Sequence, residues 1–380
     1  MLVFGSCFLE SFFMNLKDVF CQDRPIASLQ RAFAASRLGH AYIFAGANGI
    51  GKFTTAKAWA KMLLCEQKAH SETPNGGFYD SCGQCNSCKL FDGNSHPDYK
   101  VIYKELLEFT KKGKGKTSPV DLPKDVINEF LIEKVSSQPK NSDYVVYVIK
   151  ESERLNAASQ NALLKVLEEP PAYCIIILLC SSMEKMLPTT RSRCQTIRFG
   201  EIDENRIIEK LVEMSIGVEQ AKFWARFSES SLGTAIEWAT VEIDGNSIYD
   251  IKSRLISSIA TQSLADSLDI ADSMSEAVKL IAQGFSARNK NISKTDINRR
   301  SAKGLIRMII SAFSDVIRLE ISGRDSLINT DQSSEIEKLA ERFTTEEAAD
   351  RVDKAYENLR WVDASVNEKL IFEELLLNLA

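Results

Sequence analysis

The sequence lacks the two features that most directly reveal a membrane or a nucleic-acid protein. Its 380 residues contain no run of about 18 uncharged apolar residues, which is what a helix needs to span a bilayer. It also lacks a strong net charge, because 47 Lys and Arg oppose 52 Asp and Glu. Any contact with DNA therefore has to use a local patch. The composition is that of an ordinary globular chain with room for about two or three domains.

The start of the sequence is not expected to be an export signal. The opening MLVFGSCFLESFF is apolar, but no Lys or Arg precedes the apolar run and Glu10 interrupts it. We expect the folded part to begin at Met14 and the protein to be cytoplasmic. The nine cysteines are then expected to bind metal rather than to form disulfides.

Apolar segments of strand length alternate with helical segments through the first 200 residues. The predicted strands are AYIFAG, PDYKVIY, DYVVYVIK and CIIILLCSS, and helices are predicted over 25–38 and 52–64. Continuous apolar strands separated by helices indicate a parallel sheet covered on both faces, an α/β fold. After Phe199 only helical patterns follow. The predicted domains are an α/β domain over 14–200, a small helical domain over 201–243 and an all-α bundle over 244–380.

Four cysteines are concentrated in one segment with the spacing C-x16-C-x2-C-x2-C. They are Cys65, Cys82, Cys85 and Cys88. Four thiolates at this spacing can share one tetrahedral ion with no open position, as in a structural zinc site. Free thiols, a redox pair and an iron–sulfur cluster are the alternatives. His70 and His96 are close in sequence, but four sulfurs leave no coordination position for them.

The stretch GANGIGKFTT, residues 46–55, joins a predicted strand to a predicted helix, as a phosphate-binding loop does. Its candidate phosphate-binding residues are Gly46, Gly49, Gly51 and Lys52. The hydroxyl that would bind magnesium after the lysine is absent, because Phe53 stands there. Thr54 is a poor substitute, since the next helical position points about 100° away.

The second magnesium ligand is also absent. An acid normally follows the apolar strand that holds this ligand. Here YVVYVIKES places Lys150 in that position, ahead of Glu151. A lysine would occupy the place of the metal and repel it. Two defects at one metal predict a chain that does not hydrolyse ATP, while binding of ATP or ADP to the loop stays open.

Five stretches point to one family. They are RLGHAYIFAG, the four-cysteine segment, HPDY, LNAASQNALLKVLEEPP and LPTTRSRCQTIRF. Together they resemble bacterial clamp-loader subunits of DNA polymerase III, of the AAA+ class, over residues 20–200. The resemblance implies a P-loop-like AAA+ domain with an inserted zinc module over 65–88. Phe53 and Lys150 are more similar to a delta-prime subunit than to the gamma/tau ATPase, and Thr234 stands near the place of an ATPase's nucleotide-sensing arginine.

The resemblance also implies a role for Arg193. This residue lies in the family motif SRC, whose arginine reaches into the ATP site of the neighbouring subunit. An arginine supplied in trans stabilises the charge that develops during phosphoryl transfer. The implied partners are the gamma/tau and delta subunits, the sliding clamp and primer–template DNA. Arg191 is the competing residue. For the whole chain, a gamma/tau-like ATPase with unusual metal ligands is the alternative.

Two charged stretches allow more than one interpretation. In AASQNALLKVLEEPPA, Asn156 is a predicted N-cap and the double proline ends the helix. Glu168 and Glu169 then form a paired-carboxylate site, solvated helix-end charges or a subunit contact implied by the resemblance. The run KKGKGKTS, residues 111–118, either contacts DNA phosphates or forms a solvated loop.

Overall fold

The structure is a computed structural model that describes residues 15–73, 76–113, 119–243, 245–261, 263–288, 292–364 and 366–379. The described chain divides into two compact units, with the boundary between Glu201 and Ile202. Within the second unit, the boundary expected at residue 243 stays a prediction.

The first unit contains seven strands in its described residues. They are β1 (Ala41–Ala45), β2 (Ala69–Thr73), β3 (Gly76–Asp80), β4 (Tyr99–Ile102), β5 (Val145–Ile149), β6 (Cys174–Cys180) and β7 (Gln195–Arg198). Five of them form a parallel sheet in the order β4-β5-β6-β1-β7, and β2 and β3 form a separate antiparallel hairpin. Every residue of β1, β5 and β6 is buried, which explains their continuous apolar runs. The predicted α/β class and parallel sheet are confirmed.

Helices connect these strands. They are α1 (Asp23–Ala34), α2 (Lys52–Leu64), α3 (Asn86–Asp92), α4 (Lys124–Ile127), α5 (Ala157–Glu168) and α6 (Pro188–Arg191). Helix α5 begins as predicted, because the Asn156 side chain accepts a hydrogen bond from the Ser159 N–H at 2.9 Å. Its apolar face belongs to the core of the unit through Leu163, Val166 and Leu167.

The sheet brings separate parts of the sequence to one edge. Ala45 pairs with Cys180, and Ile149 pairs with Leu178, so the carboxyl ends of β1, β6 and β5 lie side by side. The loop 46–51 follows β1 and Lys150 follows β5. Parallel strands place such connections at the same edge, where ligands bind in open α/β sheets.

The described residues of the second unit form helices and one short strand pair. Its elements are α7 (Glu204–Glu213), α8 (Val218–Phe227), α9 (Leu232–Thr240), β8 (Glu242–Ile243), β9 (Asn246–Ser247), α10 (Ile248–Thr261), α11 (Ser267–Arg288), α12 (Lys294–Ser322), α13 (Ser333–Arg342), α14 (Thr345–Asp363) and α15 (Glu368–Leu379). The expectation that strands stop after Phe199 is wrong in this detail, because a strand of two residues is too short to show periodicity. In the described part of the chain, the helices are too short or too polar to cross a bilayer.

Aromatic side chains join α8 and α9 to the long helices of this unit. The Trp238 ring centroid lies 6.2 Å from that of Trp224 and 5.2 Å from that of Phe285 on α11. Trp238 also packs on the backbone of α12 at Gly304, where an added Cβ would overlap with the indole ring. Trp238 therefore packs against residues of both α11 and α12.

Candidate nucleotide and metal sites

Residues 46–51 form a tight connection between β1 and α2. Gly49 and Gly51 have φ angles of 72° and 102°, which glycine adopts more readily than other residues. The side-chain amide of Gln22 donates to the carbonyls of Ile50 and Gly200, each at 3.1 Å. The strand–loop–helix arrangement of a phosphate loop is thus present and is held from outside by a buried glutamine.

The side chain of Lys52 contacts the loop 46–51 that precedes it. It is buried at the first position of α2, and its ammonium donates to the carbonyls of Gly46 and Ala47 at 2.5 and 2.7 Å. Burial lowers the pKa of this lysine, and the nearby carboxylate of Glu153 opposes that shift. The loop carbonyls accept the hydrogen bonds that phosphate oxygens would accept in a nucleotide complex.

Phe53 and Lys150 contact each other. The Lys150 Nζ lies 4.0 Å from the centroid of the Phe53 ring, within the range of a cation–π interaction. These are the residues at the two positions where the sequence lacks a magnesium ligand. Magnesium takes oxygen ligands in near-octahedral geometry. A phenyl ring covered by an ammonium supplies neither an oxygen nor a negative charge.

Protein groups already pair with the acids that follow β5. The Glu151 carboxylate lies 3.6 Å from Lys104 Nζ and 3.4 Å from Arg154 Nε. Glu153 accepts hydrogen bonds from the Ser181 N–H at 3.1 Å and from its hydroxyl at 2.5 Å. Sequence reasoning did not find these partners, since Lys104 and Ser181 come from segments that only the strand order brings together.

The four predicted metal ligands converge. The sulfur atoms of Cys65, Cys82, Cys85 and Cys88 all lie within 4.8 Å of one another. Cys65 Sγ is 3.5 Å from Cys82 Sγ and 3.8 Å from Cys85 Sγ. Zinc–sulfur bonds of about 2.3 Å in a tetrahedron place sulfurs about 3.8 Å apart, so the donor set fits one such ion. The separations far exceed the roughly 2.05 Å of a disulfide bond.

Backbone amides also point at these sulfurs. The N–H groups of Cys82, Cys85 and Cys88 donate to a cysteine sulfur at 3.3 to 3.4 Å. Such donors stabilise thiolates, which are the form that binds metal. His96 is occupied elsewhere, because its Nδ1 accepts from the Asp98 N–H at 3.1 Å and its Nε2 lies 2.8 Å from Ser87 Oγ. The four cysteines can therefore hold a metal ion without a histidine.

The hairpin β2–β3 lies inside the cysteine segment, between Cys65 and Cys82, and was not predicted. Gln30 on α1 exchanges two hydrogen bonds with the backbone of Tyr79, at 2.7 and 2.8 Å. The Asp80 carboxylate accepts from the N–H groups of Leu16 and Lys17 at 3.0 and 3.2 Å. These contacts attach the cysteine module to the N-terminal part of the α/β unit.

Arg193 lies between α6 and β7 with 35% of its side chain exposed. Its Nη2 is 2.8 Å from Glu168 Oε1, and its Nη1 donates to the Thr189 carbonyl at 3.0 Å. Arg191 is exposed. The structure thus joins the SRC stretch to the end of α5, two segments that the sequence analysis interprets separately.

A shallow groove lies between α4 and α5 on the same unit. Its volume is about 430 Å³. Its lining includes two lysines and two asparagines, namely Lys124, Asn128, Asn161 and Lys165. Of the predicted basic run 111–118, Lys111 and Lys112 are exposed. Residues 114–118 lie outside the described residues. The groove therefore adds two lysines to the cationic groups of this unit.

Comparison with known proteins assigns the family. Residues 21–203 match the family described as DNA polymerase III, delta subunit, and residues 293–380 match its C-terminal counterpart. The two matches together cover most of the chain. The chain belongs to the clamp-loader subunit family of DNA polymerase III.

Two relatives show how the likeness is distributed along this clamp-loader chain. It is 23% identical to DNA polymerase III subunit delta′ of Bacillus subtilis, over 94% of this chain and 96% of that protein. It is 34% identical to subunit tau of the same organism, over 52% of this chain but only 31% of tau. A gamma subunit-related protein of Thermotoga maritima aligns over 93% of the chain and 97% of its own length, with a TM-score of 0.42 and 16% identity.

Thr234 occupies an ordinary helix-start position in this clamp-loader chain. Its N–H donates to Ser231 Oγ at 3.3 Å, and the two hydroxyls are 2.9 Å apart. Ser231 is the N-cap of α9, so both side chains serve the first turn of that helix. A threonine used in this way offers no cation for a nucleotide.

Proposed function

We propose that this chain is a non-hydrolysing, delta-prime-like subunit of the DNA polymerase III clamp loader in the cytoplasm. It joins gamma/tau and delta subunits and supports ATP-dependent loading of the sliding clamp onto primer–template DNA. The observation that carries the proposal is the contact of Lys150 with Phe53 at 4.0 Å. Metal ions that bridge phosphate oxygens are central to phosphoryl transfer, and this contact fills both ligand positions with groups that bind no magnesium.

Arg193 acts in trans on the ATP of a neighbouring subunit. The contacts with Thr189 and Glu168 use two of the five N–H donors of a guanidinium, so this partly exposed group keeps donors for phosphate oxygens. Arginine supplied by a second chain accelerates phosphoryl transfer by about 10³ to 10⁵ in well-studied enzymes. A subunit without hydrolysis of its own therefore remains necessary to the complex.

The metal held by the four cysteines is zinc, in a structural role. Four sulfurs complete a tetrahedral shell and leave no position for a substrate. ATP or ADP binds the loop 46–51 only if Lys52 releases the carbonyls of Gly46 and Ala47. The lysines of the α4–α5 groove form the kind of local patch that contact with DNA phosphates requires.

The test begins with the isolated chain and Mg²⁺-ATP. We expect no turnover above that of a Lys52→Ala variant, which controls for contaminating ATPases. Mixing the chain with the other loader subunits of its organism should then give a complex that loads the clamp, and omitting the chain should abolish loading. Magnesium-dependent turnover by the isolated wild type that Lys52→Ala removes would instead support a gamma/tau-like ATPase.

A further inference from the structure

We propose that Glu168 is a positioning residue for Arg193, holding its guanidinium in the direction from which it meets a neighbour's phosphate. The inference rests on the proposed function of Arg193. It gives one of the two carboxylates at the end of α5 a defined role in place of a solvated helix end.

Two anchors fix the guanidinium. Glu168 Oε1 lies 2.8 Å from Nη2, and the Thr189 carbonyl lies 3.0 Å from Nη1. The first anchor belongs to the end of α5 and the second to α6. A planar guanidinium held at two of its nitrogens can no longer rotate freely about its last bonds. Its remaining N–H donors are then held in fixed directions.

The frame that carries both anchors is rigid. Gln160 of α5 is buried, with 2% of its surface exposed. Its side chain donates to the Lys185 carbonyl at 3.1 Å and accepts from the Leu187 N–H at 2.8 Å. These bonds tie α5 to the segment that leads into α6. Glu168 and Thr189 are therefore parts of one hydrogen-bonded support rather than two independent surface groups.

The ion pair of Glu168 with Arg193 is not needed for the stability of the fold. An ion pair with half of its carboxylate side chain exposed contributes little to folding. A fixed orientation matters more, because a catalytic group displaced by a fraction of an ångström loses much of its effect on rate. The negative charge of Glu168 weakens the attraction of Arg193 for phosphate. The gain in rate from a fixed orientation therefore has to exceed the loss from this weaker attraction. Replacing the carboxylate by an amide separates the two effects.

The experiment compares Glu168→Ala, Glu168→Gln and Glu169→Ala in a fully assembled loader at saturating ATP. We expect Glu168→Ala to lower the clamp-loading rate about fivefold, because the guanidinium loses one anchor. Glu168→Gln should keep most of the rate, since its amide oxygen still accepts a hydrogen bond. Glu169→Ala is the matched control and should load like wild type. Assembly and metal content should be unchanged in all three.

A double-variant cycle distinguishes positioning from a structural role. In a chain that already carries Arg193→Ala, the further change Glu168→Ala should have no effect on loading. An equal loss in both backgrounds would overturn the proposal, as would a loading rate raised by Glu168→Ala. Normal loading by Glu168→Ala beside slow loading by Arg193→Ala would overturn it while leaving the proposed function intact. Normal loading by Arg193→Ala would overturn both the positioning role of Glu168 and the trans role of Arg193, and it would leave the chain as a scaffold subunit.

Discussion

Trp238 of α9 packs its indole ring so closely on Gly304 of α12 that the helix has no room for a side chain at that position. In an exposed helix, alanine is favoured over glycine by about 1 kcal/mol. Here the added methyl group has to displace a buried tryptophan. A Gly304→Ala change therefore tests the contact, because it should destabilise the protein if Trp238 packs on Gly304 and stabilise it if the site is open.

Gly304→Ala should lower the free energy of unfolding by about 1 to 3 kcal/mol, the usual cost of overpacking a core. Urea denaturation followed by tryptophan fluorescence measures it. Gly200→Ala is the control, because a Cβ at this exposed position meets no atom within 4 Å, and its effect should stay within about 0.5 kcal/mol. A Gly304→Ala chain more stable than wild type would contradict the packing.

The degenerate nucleotide site should not be restored by one substitution. Phe53→Thr supplies a hydroxyl but leaves the Lys150 ammonium in the place of the metal-binding acid, so we expect no magnesium-dependent ATP turnover. Phe53→Thr combined with Lys150→Asp provides both ligand types and has the better prospect of hydrolysis. Phosphate release by the isolated variants measures it. Turnover at the level of a normal ATPase from Phe53→Thr alone would show that Lys150 does not block the metal.

Arg193→Ala should leave the chain folded, its metal bound and the complex assembled, because a partly exposed arginine contributes little core packing. The assembled loader should nevertheless load the clamp several-fold more slowly at saturating ATP. Total ATP turnover should fall less, since one arginine serves one site of several. Arg193→Lys should rescue poorly, because an ammonium lacks the planar fork that grips two phosphate oxygens.

Arg191→Ala is the control for this prediction. Arg191 is exposed and ends α6 two residues earlier, so its loss removes the same charge from the same surface. Its loading rate should stay near that of wild type. If Arg191→Ala slowed loading and Arg193→Ala did not, the acting residue would be Arg191.

Purified protein should contain about one zinc ion per chain, because four thiolates fill a tetrahedral shell. Cys85→Ser should lower the zinc content and increase protease cleavage within 66–95, since this module relies on the metal for order. Elemental analysis and limited proteolysis measure the two effects. Cys21→Ser, outside the cluster, should change neither. A brown protein with iron, or full thiol reactivity in the wild type, would exclude the zinc assignment.

Much of the fold could be predicted because its signals are local. The buried strands β1, β5 and β6 appear as apolar runs, and α2 has the bounds expected from the glycine loop before it. Asn156 caps α5 through its own backbone neighbours. The cysteine spacing likewise indicated a shared ion before any geometry was available. Each of these features depends on residues close together in sequence.

The rest depends on contacts between distant segments. The hairpin strand β2 is wholly exposed, so it has no alternation of apolar and polar residues to reveal it. Lys150 reaches Phe53 only because β5 and β1 end at the same edge of the sheet. The pairing of Glu168 with Arg193 joins the end of α5 to the segment that follows α6, two parts of the chain that are not adjacent in sequence.

The contact of Lys150 with Phe53 also restricts how descendants of this chain can change. Threonine at position 53 alone would remove the ring that the Lys150 ammonium contacts. Aspartate at position 150 alone would place a carboxylate next to the phenyl ring of Phe53. Neither single substitution produces a complete magnesium site. Selection for hydrolysis can therefore act only after both codons have changed. Because the two side chains contact each other, a magnesium site at this edge of the sheet requires both positions to change together.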